Sequence, residues 1–260
     1  MLIKQLLKDV LRSGGFEISR IATSDYLLRG RLSQLIEKLQ INTVLDVGAN
    51  NGQYLHLLSK IGFKGEVLSF EPVPELYRKI KTLFPRKKQW QQFPYACGSQ
   101  DGTAVIHVAK SSDFSSILKA NAFCLKENPG ALPVRSEPVQ LRRLDAFIQE
   151  LYSDISKRRI LLKIDTQGYD REVFSGARGI LDSIKLLQVE IPVIPLYEKA
   201  LSMPRALDIY LSAGFGVSGL FPVWYSNDRI FVGEYDCLLV NQRMSSGLEQ
   251  EQAPVPASLP

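Results

Sequence analysis

The residues best suited to chemistry are acids that stand where apolar runs end. In Thr43-Val44-Leu45-Asp46-Val47-Gly48-Ala49-Asn50-Asn51-Gly52 an apolar stretch passes into a turn, and a helical pattern opens near Gln53. Glycine allows positive φ and lets a ligand approach the chain closely. Amides at a helix N-terminus offer donors to a polar group. Gly48, Asn50 and Gly52 are therefore candidate cofactor-binding positions. Asp46 would repel a pyrophosphate but suits a cation such as the ammonium of an amino-acid moiety. A second run ends Val67-Leu68-Ser69-Phe70-Glu71-Pro72, with Glu71 23 positions after Gly48. Strand–loop–helix–strand units place there the acid that accepts ribose hydroxyls. Asp46 and Glu71 together describe a nucleoside with a cationic end. S-adenosylmethionine (SAM) fits, whereas a dinucleotide would want GxGxxG. The plainer alternative makes Asp46 a turn cap and Glu71 a surface acid before proline.

A second group points to a reacting centre. Ile160-Leu161-Leu162-Lys163-Ile164-Asp165 is nearly all apolar, as a central parallel strand should be. Lys163 and Asp165, two apart, share a face. A lysine in such a strand needs a carboxylate partner, and ligands of doubly wound sheets bind beyond the carboxyl ends of the strands. The next run ends at Glu190. Lys163, Asp165 and Glu190 are the candidate catalytic residues: transfer of a methyl group from SAM needs a positioned acceptor and, where that acceptor is a hydroxyl, a group to take its proton. Lys163 could orient the hydroxyl, or deprotonate it if neighbours depress its pKa. Asp165 and Glu190 could act as base or jointly hold a divalent metal. The competing reading is a buried ion pair between Lys163 and one acid. Ile191–Glu198, Trp224, Tyr225 and the stretch around Ser115 and Ser116 are candidate acceptor walls. His56 and His107 lack partners at the spacing of a zinc site or a triad.

The elements that must position these residues alternate. Apolar runs at Thr43–Val47, Glu66–Phe70, Ile160–Ile164 and Leu186–Val189 precede helical patterns at Gln53–Lys60, Glu75–Leu83, Arg171–Leu181 and Arg205–Ala213. Such alternation builds a parallel sheet. Thr103–Val108 reads as a strand, Ser111–Pro138 as a long loop or lid, and Phe215–Leu220 and Tyr235–Val240 as strands joined by Phe221–Phe231. Two helical patterns come first: residues 1–13, amphipathic and basic, and Asp25–Leu39. The 260 residues carry three widely spaced cysteines and a net charge of +5, concentrated at Arg78, Lys79, Lys81, Arg86, Lys87 and Lys88. A disulfide scaffold, a zinc ribbon and a membrane span are not indicated. The basic run reads as a solvated helix face without the aromatic interleaving of a nucleic-acid platform, so no nucleic acid is expected. A cytoplasmic setting is expected, with residues 1–13 packing on the domain or a partner subunit, or alternatively contacting the inner face of a membrane.

Five ordered segments carry a resemblance. They are LDVGANNGQY from Leu45, SFEPVPELY from Ser69, ACGSQDG from Ala96, LKIDTQGYDREVFSGA from Leu162 and VEIPVIPLYE from Val189. Together they resemble the FkbM-type family of SAM-dependent methyltransferases. The resemblance implies an α/β class I methyltransferase fold, with a mostly parallel seven-stranded sheet ordered 3-2-1-4-5-7-6 and strand 7 antiparallel. The third strand would be Phe93–Ser99, its small residues Ala96, Gly98 and Ser99 beside the adenine, with Cys97 a pocket-wall residue. The implied acceptor is a hydroxyl on a sugar, glycolipid or natural product. The main rival is a SAM-binding partner module without turnover; a nucleotide-dependent oxidoreductase is disfavoured by Asp46. The expected division is 1–41 helical extension, 42–244 methyltransferase domain and 245–260 disordered tail.

Overall fold

The computed structural model describes residues 24–84, 89–226 and 229–244. The expectations for residues 1–13 and 245–260, and for Arg86, Lys87 and Lys88, lie outside them. Ten strands and seven α-helices are described: β1 (Thr43–Val47), β2 (Glu66–Phe70), β3 (Trp90–Phe93), β4 (Ala96–Gly98), β5 (Gly102–Ala109), β6 (Pro133–Arg143), β7 (Ile160–Ile164), β8 (Ile184–Pro192), β9 (Phe215–Tyr225) and β10 (Val232–Asn241), with α1 (Ser24–Lys38), α2 (Gln53–Lys60), α3 (Pro74–Leu83), α4 (Ala122–Glu127), α5 (Leu144–Leu151), α6 (Asp170–Ser175) and α7 (Met203–Ser212).

All five residues of β1 and all five of β7 are buried. The main sheet has seven strands in the order β3-β2-β1-β7-β8-β10-β9. From β3 to β8 neighbours are parallel, and β10 runs antiparallel to both β8 and β9. Numbered within that sheet, the order is 3-2-1-4-5-7-6, with the last strand reversed. This is the class I methyltransferase fold.

Side-chain alternation divides the core between two faces. Leu45, Val47, Leu162, Ile164, Leu187 and Val189 pack on one face with residues of α5, α6 and α7. Val44, Val67, Leu161, Leu186 and Leu238 pack on the other, against Leu28, Leu32 and Leu35 of α1 and Tyr54, Leu55 and Leu58 of α2. Asp46 alternates with Leu45 and Val47, so it and its register partner Lys163 face α1 and α2. Gln188, the partner of Lys163 on β8, lies beside them.

Several expectations are corrected here. The third strand is Trp90–Phe93, not Phe93–Ser99. Pro94 has no N–H to continue the ladder, and Ala96–Gly98 joins a separate three-stranded sheet, β4-β6-β5. The stretch 111–138 is no open loop: it holds a short turn at Ser112–Phe114, α4 and the first half of β6. The helix expected at Arg171–Leu181 stops at Ser175. Gly176 follows it closely against β4, where a Cβ would collide with the Gly98 carbonyl oxygen. β9 extends through Phe221–Tyr225, so the expected connection Phe221–Phe231 is strand over its first five residues. Arg78, Lys79 and Lys81 are exposed on α3, as a solvated face requires. No helix among the described residues is long and apolar enough to cross a membrane.

Candidate active site

A cavity of about 420 Å³ opens at the carboxyl ends of β1, β2, β7 and β8, where doubly wound sheets bind ligands. Its floor is the loop after β1. Gly48 has φ +80°, and a Cβ there would collide with the Asp165 carbonyl oxygen. Only glycine lets β1 and β7 close to this separation while the chain turns. Asn50, also at positive φ, donates its N–H to Glu71 Oε2 at 2.7 Å, and Val73 N–H donates to Oε1 at 2.9 Å. Two backbone donors thus fix the Glu71 carboxylate at the cavity wall. Burial pushes its pKa up to about 7 despite them.

Val73, Leu76, Ala96, Cys97 and Ile106 form an apolar end beyond Glu71. Ala96 and Cys97 therefore face the cavity. Gly98 and Ser99, assigned with them from sequence, are not among the lining residues. Burial raises the Cys97 thiol far above its ordinary value, consistent with a wall position. Gly52 also lies off the cavity. It enters α2 at φ +81°, packed against Phe84 and Ile80.

The opposite end is polar. Lys163 Nζ donates to the Gly48 carbonyl oxygen at 3.1 Å and pairs with Asp46 Oδ1 and Asp165 Oδ2, each at 3.2 Å. Burial acts to lower its pKa, but Asp165 and Asp46 outweigh it and hold the ammonium above its ordinary value. Lys163 therefore stays cationic. The idea that it deprotonates an acceptor is corrected, since its neighbours raise its pKa instead of depressing it. Asp46 is fully buried behind it, accepts from Ser69 Oγ at 3.2 Å and does not line the cavity. A ligand ammonium would find Asp46 already paired with Lys163.

Asp165 and Glu190 do come together. Gln167 Nε2 donates to Asp165 Oδ1 at 2.9 Å and to Glu190 Oε2 at 3.0 Å, while Tyr197 Oη lies 2.9 Å from Gln167 Oε1 and holds the amide in place. Burial would raise Asp165, but Lys163 and Gln167 outweigh it and hold the carboxyl below its ordinary value. Glu190 moves the other way, raised well above its ordinary value by burial and then by Asp165. The two carboxyls are thus bridged by the Gln167 amide while their pKa values are driven apart. Among the described residues no group of three or more His, Cys, Asp or Glu is placed to hold a metal. An ammonium and an amide already occupy the positions around Asp165 that a cation would take.

Sequence reasoning missed Tyr54, Gln188, Asp236, Asp25 and Arg29, all of which line this end. The signal for Gln188 and Asp236 was a polar residue set next to apolar ones in the runs Leu186-Leu187-Gln188-Val189 and Asp236-Cys237-Leu238-Leu239. Ser115 and Ser116 line the cavity as expected, with Ser112 and Asp113 beside them. Asn50 Nδ2 donates to Asp113 Oδ1 at 2.6 Å and Asn51 Nδ2 to Ser112 Oγ at 3.1 Å, so the segment is fastened to the glycine loop. Ile191–Glu198, Trp224 and Tyr225 do not line the cavity. The Trp224 ring lies where a Cβ on Gly233 would sit, and Tyr225 is exposed at the sheet edge.

The sheet order and a cavity bounded by a glycine loop, Glu71 and a polar end define a class I methyltransferase. The model of the methyltransferase FkbM domain matches residues 46–217, and the chain belongs to that family. A 2-O-methyltransferase, NoeI, of Sinorhizobium fredii (strain NBRC 101917 / NGR234) is 24% identical over 209 residues, covering 78% of this chain and 84% of the relative. Solved structures with some likeness include an rRNA methylase from Streptococcus thermophilus, at 13% identity and TM-score 0.45 over 86% of this chain and 99% of that one. Another is Aeropyrum pernix fibrillarin in complex with SAM, at 12% identity and TM-score 0.46 over 82% and 74%.

Proposed function

We propose that the protein methylates a hydroxyl oxygen of a sugar, glycolipid or related small molecule, with SAM as methyl donor. The cavity fits that donor. Its size is within the range of small-molecule sites. Glu71 Oε1 and Oε2 each accept one amide, and each keeps a lone pair for a ribose hydroxyl. The apolar end suits a purine, and the ionised Asp165 suits a cationic centre. When bound, SAM supplies an electrophilic methyl group on a positively charged sulfur.

The observation that carries the reading is the Asp165–Glu190 pair. An alcohol must lose its proton as its oxygen forms the new bond, and the Asp165 carboxylate, which lines the cavity, is our candidate to take it. Glu190, its pKa raised by burial and by Asp165, stands beside it, with Gln167 holding both. Lys163 is a positioning residue: its three contacts fix Asp165 relative to the glycine loop. The 2-O-methyltransferase designation of the relative supports oxygen as the acceptor atom. Replacing Asp165 by Asn tests the reading. The variant is expected to lose about 10²- to 10⁴-fold in kcat, the usual contribution of general base catalysis, while its affinity for SAM changes little. Undiminished turnover would overturn the assignment of Asp165, and SAM binding without turnover in the unaltered chain would favour a binding module.

A further inference from the structure

The family match spans residues 46–217, and the glycine loop, Glu71, Asp165 and Glu190 all lie within it. The polar end of the cavity is completed from outside those bounds. Asp25, Leu28 and Arg29 reach it from α1, and Asp236 from β10. The residues that hold the donor and move the proton thus belong to the shared segment. A wall built outside it can differ among family members without disturbing them.

Asp236 is held in a defined place. It stands opposite Glu190 in the β8–β10 register. Its Oδ1 accepts from Gln188 Nε2 at 2.9 Å, and Gln188 Oε1 accepts from Tyr54 Oη at 2.8 Å. That relay fixes the amide of Gln188 and orients the Asp236 carboxylate, whose Oδ2 has no hydrogen-bond partner among the described residues. Burial raises the carboxyl only to about 6, so it is ionised at neutral pH. On the same cavity Asp25 pairs with Arg29 at 2.7 Å, and the negative charge of Asp25 is felt at Asp236.

We propose that Asp236, together with the Asp25–Arg29 pair, selects the acceptor as a hydroxyl-rich ring that is uncharged or cationic, in preference to one bearing a carboxylate or phosphate. This rests on the O-methylation reading above. A ring hydroxyl or ammonium donates to Asp236 Oδ2. An anionic ring meets both Asp236 and ionised Asp165, while Lys163 and Arg29 are already paired with acids. Rejection by unscreened like charge is an effective route to specificity in a partly buried site.

The test uses the full chain, SAM and a panel of monosaccharide glycosides, each as neutral sugar, amino sugar and uronic acid. The unaltered protein is expected to favour the first two over the uronic acid in kcat/KM. Asp236→Asn is expected to raise KM for the neutral glycoside about ten- to a hundredfold, as for one lost hydrogen bond to a charged group. The Kd for SAM stays unchanged and the discrimination against the uronic acid falls. Asp25→Asn, at an exposed position, relaxes the same discrimination and serves if Asp236→Asn folds poorly. Unchanged acceptor KM and discrimination in both variants would overturn the proposal, as would equal weakening of SAM and acceptor. Preference of the unaltered protein for the uronic acid sinks this inference alone. SAM binding with no methyl transferred to any glycoside sinks the O-methylation reading and this inference with it.

Discussion

At the scale of single residues, Lys163 directs its hydrogens to Asp46, Asp165 and the Gly48 carbonyl, all inside the protein. Its contribution is then structural before it is chemical. Lys163→Met leaves the buried Asp46 carboxylate and the partly exposed Asp165 carboxylate without their cation and is expected to cost about 3–5 kcal/mol of stability, measured by urea denaturation. Adding Asp46→Asn removes one of the stranded charges, so the double variant should recover part of that loss. Equal stability of Lys163→Met and the unaltered protein would contradict the pairing. The spacing of Lys163 and Asp165 was legible in the sequence, because a strand puts residues two apart on one face. The identity of the lysine's partner was not. Asp46 meets Lys163 only through the β1–β7 register, and no local pattern encodes which strand will lie beside which. The same blindness placed Asp46 against a ligand ammonium instead of behind Lys163.

The elements divide in the same way. β1, β2 and β7 are buried on both faces, and a continuous apolar run is a strong signal for such strands. The small sheet β4-β6-β5 was hidden. Its longest strand, β6, starts at Pro133, contains Pro138 and alternates partly exposed residues, a texture that also describes a loop. The turn after β1 was legible through its glycines, though their tasks differ. Gly48 permits the close approach of β7, whereas Gly52 starts α2 in a left-handed conformation and packs on Phe84. Gly48→Ala is accordingly expected to be strongly destabilising, by about 1–3 kcal/mol for the backbone conformation alone with the clash against the Asp165 carbonyl added. Thermal or chemical denaturation measures it. A variant of undiminished stability that still binds SAM would contradict the close β1–β7 approach.

Across the whole molecule a basic chain, with 32 lysines and arginines against 27 acids, encloses an acidic cavity. Burial holds Glu71 up at about 7 and Asp236 at about 6. Glu234, raised by burial and then by Asp165, lies at about 8. An unfolded chain releases these protons near the ordinary carboxyl range, so between there and the folded values the folded state binds more protons. Stability must then fall as pH rises. From pH 6 to pH 8 Glu71 alone accounts for about 1 kcal/mol. Donor binding takes the opposite sign, since a ribose hydroxyl and a cationic sulfur both favour ionised acids. Thermal midpoints at pH 6 and pH 8, with and without SAM, should show a less stable free protein but a larger SAM-induced rise at the higher pH; trends of the same sign would contradict this. The central claim is that Asp165 takes the proton of an acceptor hydroxyl, and the most direct measurement is the identity of the product formed with isotopically labelled SAM. The label is predicted on an ether oxygen of a glycoside with the unaltered protein and to be nearly lost with Asp165→Asn. A label on nitrogen, carbon or sulfur, or one undiminished in that variant, would contradict it.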